Sequence, residues 1–495
     1  MFFSRPQRVG FAAVIVILLL VAFQNCSPQG FEVISGVQVP QSLVDTSAPP
    51  VQPTPEESTP YDEGSLEKIP HNSSILKLKP KQIFQRQGSA NTAPVSIEVV
   101  PYNSTVQWLT VLVSKNATTV FKKTFAAADL VKVAGNFQMT FSVRAGGWYQ
   151  LQVLQVVGNT AYVSTHSEFG VGDIYVIAGQ SNAANHAETK TQSKNPLVVM
   201  YDPETGNWAS CQDPLPFASV FSHLIGAGVK GQGSTWPELG DLLAQEDQVP
   251  IGFLSTAMGG SPLKSWLPGG PAFYSEFNIK NQPMNYNLYQ RLLTSTQRLL
   301  AESKGFKMVL WHQGESDLEN CNVANPGVCD SVLYTQKLMQ LKTSLDKDLK
   351  INTRWMVAQT SFFPANAESY MAGQPCVSIK NYYAGSGALL AVSQRNLWGL
   401  NNIVKGPSSD DLLDAYRFNG QFGGCVHFSY KGQAEMSKRW YAAILQARSA
   451  VPSAQFKDFT SVTGTVTCPL GSLCMSAVGG QVIQSQNADG SPATK

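Results

Sequence analysis

An apolar run that ends in a turn decides the fold of this chain: Asp173-Ile-Tyr-Val-Ile-Ala-Gly-Gln-Ser181-Asn182. The residues from Ile174 to Ala178 are typical of a buried strand, and Gly179 indicates a sharp turn after it. A serine on a tight turn from a strand into a helix lies at the edge of the sheet, where N–H groups of the helix N-terminus can bind an anion. We therefore expect Ser181 at a functional edge, although a serine there can also serve only as a helix cap.

Strand-like and helix-like segments alternate from Gly172 onwards. Short apolar runs indicate buried strands at 174–178, 251–256, 308–311, 355–359 and 389–392. Helical candidates lie at 238–245, 288–303, 332–349 and 432–448. Alternating β and α segments indicate a parallel sheet with helices on both faces, and functional residues at the carboxyl ends of its strands. The sequence therefore predicts an α/β domain over residues 170–450.

A different pattern precedes this domain, over residues 82–168. Polar and apolar residues alternate in short runs such as Val95-Ser-Ile-Glu-Val-Val and Tyr149-Gln-Leu-Gln-Val-Leu-Gln-Val, with glycine and asparagine turns between the runs. Alternation with a period of two is typical of half-buried strands. This segment is therefore predicted to form a small β-sandwich domain.

The N-terminus indicates export. Arg5 and Arg8 precede an apolar run from Phe11 to Phe23, which is shorter than the ~20 residues that a membrane span requires. Cys26 follows closely, and the arrangement resembles the lipobox of bacterial lipoproteins, in which this cysteine is lipidated. Residues 1–26 are therefore predicted to be a signal peptide, leaving either a lipoprotein anchored at the periplasmic or cell-surface side of the membrane or, after ordinary cleavage, a secreted protein.

Two further segments have the composition of appendages. Residues 27–80 are rich in Pro, Ser, Thr and Gln and are predicted to be a disordered linker, since such a composition buries too little surface to offset its ordering entropy. Residues 451–495 are predicted to be a C-terminal tail. In an exported chain the seven cysteines after Cys26 favour disulfides over metal ligation, and no spacing suits zinc. The predicted pairs are Cys321–Cys329, Cys468–Cys474 and Cys376–Cys425, with Cys211 free.

The composition indicates a globular protein with a near-neutral partner. Of the 495 residues, 43% are hydrophobic, which is enough for a substantial core. The 36 Lys and Arg residues nearly balance the 34 Asp and Glu residues. This balance argues against binding to nucleic acid or to an acidic membrane face.

Two more motifs follow later predicted strands. The glycines of Met258-Gly-Gly-Ser-Pro-Leu-Lys-Ser-Trp266 allow a backbone N–H to approach a substrate oxygen. Trp311-His-Gln-Gly-Glu-Ser-Asp317 gathers an amide, a carboxylate and an imidazole at the end of a strand. Both motifs should lie at the same sheet edge as Ser181.

A serine nucleophile also requires a general base. His427, in Cys425-Val-His-Phe-Ser-Tyr-Lys-Gly432, precedes the last predicted helix in a loop that can fold back over the sheet edge, so it is the best candidate. The other histidines are less suitable. His71 lies in the predicted linker, His166 in the predicted sandwich and His223 between predicted elements. His186 is too close to Ser181 on the same predicted helix, and His312 lies beside Trp311, where it can shape the pocket.

In this order, the motifs Gly-Gln-Ser-Asn, Gly-Gly-Ser-Pro-x-x-x-Trp, Trp-His-Gln-Gly-Glu-Ser-Asp and His-Phe-Ser-x-x-Gly resemble those of the sialate O-acetylesterase and acetylxylan esterase group of the SGNH hydrolase superfamily. The resemblance implies a flavodoxin-like three-layer α/β/α domain, with Ser181 as nucleophile and His427 as base. As oxyanion donors it implies the N–H of Ser181, the N–H of Gly260 or Gly259, and the side-chain amide of Gln313.

The sequence departs from the family at the catalytic acid. Members commonly carry Asp two or three residues before the histidine, where this chain has Cys425 and Gly424. Some relatives instead use the glutamate of Gln-Gly-Glu-Ser, which makes Glu315 the predicted partner of His427. One alternative is an upstream acid on a loop that folds back towards His427. Another is a dyad of serine and histidine without any acid. The upstream acids are Asp410, Asp411 and Asp414.

The resemblance implies an esterase that removes O-acetyl groups from carbohydrate, such as sialic acid or xylan, through an acetyl-serine intermediate. The implied partner is an acetylated carbohydrate, and the chemistry needs neither a metal nor an organic cofactor. Two alternatives stay open. One is an esterase or thioesterase with a non-carbohydrate substrate, and the other is a surface glycan-binding lipoprotein with a decayed catalytic site.

Overall fold

The computed structural model describes residues 59–71, 75–218, 231–274, 285–318, 330–364, 376, 384–419, 424–449, 477–478 and 481–482. Several predictions fall outside these residues: the signal peptide with Cys26, most of the linker and of the tail, His223, and the pairs Cys321–Cys329 and Cys468–Cys474. Within the described ranges, none of the helices is both long and apolar enough to cross a membrane.

The first part of the described chain forms strands in two sheets. These strands are β1 (Glu67–Pro70), β2 (Ile75–Leu76), β3 (Ile83–Gln85), β4 (Thr92–Val99), β5 (Trp108–Lys115), β6 (Thr118–Ala126), β7 (Lys132–Val133), β8 (Asn136–Arg144), β9 (Gly147–Val157) and β10 (Thr160–Gly179). In one sheet β6, β5, β9 and β10 are antiparallel neighbours, and β1 and β3 run parallel to β10. The other sheet has the order β2-β4-β8-β7. β1 and β2 lie in the segment predicted to be linker, so strands begin earlier than the composition indicated.

Alternating burial explains why these segments are strands. Along β8, Phe137, Met139, Phe141 and Val143 are buried and the residues between them are more exposed. These side chains share one hydrophobic cluster with residues of β4, β5 and β9. The predicted half-buried strands are thus confirmed. A separate β-sandwich domain stays a prediction, and β10 runs without a break through its predicted C-terminal boundary at residue 168.

A parallel sheet forms the centre of the predicted α/β domain. Its further strands are β11 (Val198–Asp202), β12 (Asn207–Ser210), β13 (Ile251–Ser255), β16 (Met308–His312), β17 (Trp355–Gln359) and β18 (Ile403–Ser408); the short strands β14 (Phe273–Tyr274) and β15 (Asn285–Tyr286) pair with each other, as do β19 (Ala477–Val478) and β20 (Gln481–Val482). The order is β12-β11-β13-β10-β16-β17-β18, with only β12 antiparallel to its neighbour. The five strands from β13 to β18 therefore have the order 2-1-3-4-5, as in flavodoxin-like sheets.

Helices cover both faces of this sheet. They are α1 (Trp236–Asp247), α2 (Leu288–Ser303), α3 (Asp330–Leu349), α4 (Ala384–Leu397) and α5 (Tyr430–Ser449). Val176 of β10 belongs to a cluster with residues of α2, α3 and α4, whereas the next residue, Ile177, belongs to a second cluster with residues of α1 and α5. β13 and β16 are buried along their whole length, which explains their continuous apolar sequences. The predicted mixed α/β fold is therefore confirmed.

One predicted strand is wrong. Residues 389–392 lie inside α4, where Leu390 and Leu397 are buried while Leu389 and Val392 are exposed. Burial of residues seven apart is helical periodicity, which a run of four apolar residues cannot distinguish from a strand. The fifth strand of the parallel order is instead β18, which follows α4.

A buried charge network joins the N-terminal strands to the central sheet. Arg86, directly after β3, donates to both carboxylate oxygens of Asp173, at 3.0 and 2.6 Å, and to Asp247 at 3.1 Å. Asp173 is fully buried, and Lys307 and Arg448 also lie within 4 Å of its carboxylate. Burial alone would raise the pKa of Asp173, but Arg86 and its cationic neighbours hold it below the usual value. The network therefore holds a carboxylate that stays ionised although it is buried.

We expect Arg86→Met to lower the free energy of unfolding by about 3 kcal/mol, because it leaves the buried Asp173 carboxylate with weaker compensation. Urea unfolding followed by circular dichroism measures this loss. Arg395→Met is the matched control, because Arg395 is exposed and donates only at the surface. Equal losses in the two variants would contradict a special role of the network.

Candidate active site

A tight turn carries Ser181 at the carboxyl end of β10. The turn requires glycine at position 179, where φ is +131° and an added Cβ would lie 2.1 Å from the carbonyl oxygen of His312. The Gln180 N–H donates to the same carbonyl, at 3.0 Å. This pairing fixes the turn against the end of β16, and Ser181 is buried, with 5% of its surface exposed.

The helix predicted after Ser181 is wrong. Residues 181–185 form a turn, in which the N–H of Ala184 donates to the carbonyls of Gln180 and Ser181, both at 3.0 Å. His186 therefore lies beyond a turn and not on a helix. The short run of small residues after Ser181 is compatible with either a helix or a turn, so its pattern does not distinguish the two.

Gln180 connects the first motif to the third. Its side-chain oxygen accepts hydrogen bonds from Nε2 of Gln313 at 3.1 Å, from the N–H of Gly314 at 3.3 Å and from the N–H of Ser316 at 3.1 Å. The loop after β16 is thus held directly against the Ser181 turn. The two motifs meet at one edge of the sheet, as predicted.

Gln313 is fully buried and has several partners. Its Nε2 atom lies within hydrogen-bond distance of three acceptors, which are Oε1 of Gln180, the carbonyl oxygen of Ser261 at 3.2 Å and Oδ2 of Asp317. Its Oε1 atom accepts a hydrogen bond from the Tyr334 hydroxyl at 2.8 Å. To donate to an oxyanion, the amide would have to release one of these acceptors. Its role as an oxyanion donor remains a prediction.

The glycine loop after β13 lies beside this amide. Gly260 has φ +71° and is exposed, whereas Gly259 is buried. Ser261 donates to the carbonyl of Met258 at 2.7 Å and accepts from Trp266 at 2.9 Å, so its hydroxyl shapes the loop. The geometry places Gly260 at an accessible position next to two of the other motifs.

Asp317 anchors the same loop from the third motif. Its carboxylate accepts from the N–H of Leu263 at 2.9 Å as well as from Gln313. Burial raises the pKa of Asp317 to about 6, against the lowering effect of these two donors. Its carboxylate therefore connects the second motif to the third.

Glu315 is buried in a single 3-10 turn, Glu315–Asp317. Its Oε1 accepts from Nδ2 of Asn182 at 2.6 Å, and its Oε2 has no hydrogen-bond partner among the described residues. Burial raises the pKa of the Glu315 carboxyl, while Asn182 and the nearby cation of Arg417 act in the opposite direction. A buried carboxyl group with a raised pKa, hydrogen-bonded to the residue directly after Ser181, is typical of a functional site.

His427 lies in the loop before α5 and is half-buried. The ring of His186 lies 5.4 Å from its ring, measured between centroids. Nδ2 of Asn182 also reaches the carbonyl of Val426, at 3.3 Å. Asn182 thus links the turn of Ser181, the carboxylate of Glu315 and the residue directly before His427.

The alternative acids have other positions and partners. Asp410 accepts from the N–H of Ser361 at 2.6 Å, and Asp411 forms an ion pair with Arg439 at 2.6 Å. Asp414 is exposed. Of the four candidates, Glu315 is the one that a described hydrogen bond connects to the Ser181 turn.

No role was predicted for Asn182 or Arg417, and His186 was not predicted to be the base because it lies close to Ser181 in the sequence. Asn182 was at least visible as the last residue of Gly-Gln-Ser-Asn. Arg417 lies in no motif, and its contact with Val426 depends on the folded loop. The residues around Arg417 in the sequence therefore carry no signal of a role for it.

A disulfide bridges Cys376 and Cys425, two residues before His427. This pair was predicted, and Cys211 is buried and free, as expected. The two half-cystines pack with Phe362 in a small hydrophobic cluster. The loop of His427 is therefore covalently tied to another part of the chain.

We expect the double variant Cys376→Ala/Cys425→Ala to lose about 4 kcal/mol of stability, because the bridge closes a loop with a sequence separation of 49 residues. Guanidinium unfolding without reductant measures the loss. Cys211→Ala is the control, since it removes a buried thiol outside the bridge. A double variant as stable as this control would contradict the prediction.

Comparisons with known proteins agree with the motifs. The model of a family described as "Carbohydrate esterase, sialic acid-specific acetylesterase" matches residues 171–374. No protein of curated function matches the chain significantly. Among solved structures, a carbohydrate acetylesterase from Xanthomonas citri is 17% identical with a TM-score of 0.41, covering 75% of this chain and 74% of that one. NanS is 19% identical with a TM-score of 0.39, covering 56% and 97%, and a protein from Arabidopsis thaliana is 17% identical with a TM-score of 0.38, covering 55% and 98%.

The family match contains three of the four motifs. It includes Ser181, Gly260, Gln313 and Glu315, and it ends before His427. Residues 171–374 are therefore similar to the carbohydrate esterase family of sialic acid-specific acetylesterases, the family that the motifs resemble.

Proposed function

We propose that this chain is a serine esterase that removes O-acetyl groups from carbohydrate. The observation that carries the proposal is the meeting of three motifs at the ends of the adjacent strands β13, β10 and β16, linked through Gln180 and Gln313. The family match over the same residues supports an acetylated carbohydrate as substrate.

In the proposed reaction His427 accepts the proton of Ser181 while the serine oxygen attacks the acetyl carbonyl. The N–H groups of Ser181 and Gly260 (or Gly259) and the amide of Gln313 stabilise the resulting oxyanion. The bond to the sugar oxygen then breaks, and the sugar leaves with the proton from His427. Water, deprotonated by the same histidine, attacks the acetyl-serine and releases acetate and the free serine.

Glu315 is proposed to orient His427 and to stabilise its protonated form. The link from Glu315 through Asn182 to Val426 supports this role, because it connects the carboxylate to the loop of the base. The buried environment strengthens such an interaction, since water does not screen it.

Acetate release from 4-nitrophenyl acetate and from an array of acetylated glycans tests the function. We expect hydrolysis of both, with the preferred glycan identifying the sugar. A protein inert on every ester would contradict the proposal and favour glycan binding. A preference for non-carbohydrate esters or thioesters would contradict the proposed substrate.

We also propose that the protein is exported and anchored by a lipid on Cys26, on the strength of the signal-peptide pattern in residues 1–26. Labelled palmitate supplied to bacteria that express the full chain should appear in the protein and be lost in Cys26→Ser. A labelled Cys26→Ser protein, or an unlabelled wild type, would contradict the anchor.

A further inference from the structure

Arg417 is a buried cation in the loop that precedes His427. Only 5% of its surface is exposed, and its guanidinium carbon lies over the rings of Phe428 and Phe362, at 4.8 and 5.2 Å from their centroids. Burial lowers the pKa of Arg417 to about 10, so the side chain is still charged at neutral pH. The carboxylates of Glu315, Asp410 and Asp411 act in the opposite direction, but the effect of burial is larger. A buried charge of this kind is costly unless its hydrogen-bonding groups are satisfied.

Three backbone carbonyls satisfy Arg417. Its Nη2 donates to Ser409 at 2.7 Å, its Nε donates to Leu412, and its Nη1 donates to Val426. Ser409 and Leu412 follow β18, the last strand of the parallel sheet, whereas Val426 directly precedes His427. The guanidinium therefore connects the loop that contains His427 to the segment directly after β18.

The carbonyl of Val426 receives a second donor from the other side. Nδ2 of Asn182, the residue after Ser181, approaches this carbonyl at 3.3 Å and also donates to Glu315 at 2.6 Å. The carbonyl oxygen of Val426 therefore accepts hydrogen bonds from both Arg417 and Asn182. Because His427 is the next residue, the position of this carbonyl group affects where His427 lies relative to Ser181.

We infer that Arg417 is a positioning residue of the proposed esterase, holding the Val426 carbonyl where Asn182 can meet it and thereby fixing His427 for proton transfer from Ser181. This inference rests on the proposed function. A lysine could not replace the arginine, because one ammonium group cannot reach three carbonyls in the planar geometry of a guanidinium. Arg417 touches neither Ser181 nor Gly260 in the described contacts, so it acts through the loop and not on the substrate.

The test compares kcat and KM of Arg417→Lys with those of the wild type on 4-nitrophenyl acetate. We expect kcat to fall by about 10²-fold, because a small displacement of the base is costly in rate. We expect KM to change by less than about threefold, because substrate contacts are kept. In Arg417→Ala, added guanidinium ion should restore part of kcat, and methylammonium at the same concentration should not.

Arg439→Lys is the matched control. Arg439 also donates to the carbonyl of a residue at the end of β18, Ser408, at 2.9 Å, but its other described partners are the carboxylates of Asp411 and Glu435. It should keep kcat within about threefold of the wild type. Thermal unfolding of every variant identifies losses that come from unfolding alone.

The outcomes distinguish the proposed esterase function from the positioning role of Arg417. A wild type without esterase activity would overturn the proposed function. An active wild type with an equally active Arg417→Lys, or a loss shared by Arg439→Lys, would overturn the positioning role alone. A loss of kcat in a folded Arg417→Lys, together with rescue of Arg417→Ala by guanidinium, would support it.

Discussion

Ser181→Ala is expected to reduce the hydrolysis of acetyl esters by at least about 10⁴-fold, because the proposed reaction forms its acyl intermediate on the hydroxyl of Ser181. The turn should survive the substitution. Its shape depends on the backbone of Gly179 and Gln180 and on the side chain of Gln180, none of which the substitution changes. Acetate release by purified, folded variant protein measures the effect.

Ser303→Ala provides the matched control for this experiment. Ser303 is buried at the end of α2, and its hydroxyl has no hydrogen-bond partner among the described residues. The same atom is removed from a buried position that lies outside every motif, so activity should be retained. If Ser181→Ala hydrolysed acetyl esters as fast as Ser303→Ala, Ser181 could not be the nucleophile.

Glu315→Gln is expected to lower kcat by about 10³-fold, as when a triad loses its carboxylate but keeps its shape. Glutamine preserves the acceptor for Asn182 and removes only the charge. Because burial raises the pKa of Glu315, the wild type should lose activity as the pH falls through this raised value and the carboxylate is protonated. The part of this acidic limb of kcat/KM that comes from Glu315 should be absent in the glutamine variant, whereas the requirement for an unprotonated base remains.

Asp414→Asn is the control for the choice of acid, because Asp414 is an exposed alternative upstream of His427. We expect its pH profile and kcat to match those of the wild type. The reverse result, an impaired Asp414→Asn beside a fully active Glu315→Gln, would move the role to Asp414. Two unimpaired variants would indicate a dyad of serine and histidine.

The sheet could be predicted because its strands are buried on both faces. β13 and β16 are buried, mainly apolar runs, and a glycine-containing or polar motif follows each of them. Parallel strands bring the motifs at their carboxyl ends to one edge of the sheet. The segment 389–392 is equally apolar but shorter, and only the seven-residue spacing of Leu390 and Leu397 reveals a helix. Local composition did not contain that information.

The candidate site was harder to predict than the sheet. Ser181, Gln313 and His427 lie in motifs, whereas the contacts of Asn182 join residues 133 and 244 positions apart in the chain. Arg417 becomes visible only when the loop folds back on the end of β18. Pairings over such separations depend on the packing of the whole domain, which no local pattern encodes.

Acid-quenched mass spectrometry of the protein during turnover of 4-nitrophenyl acetate tests directly for the proposed acetyl-serine intermediate. We predict one acetyl group on the peptide that contains Ser181, and none on that peptide in Ser181→Ala. An actively hydrolysing enzyme that carries the acetyl group on another residue would contradict Ser181 as the nucleophile.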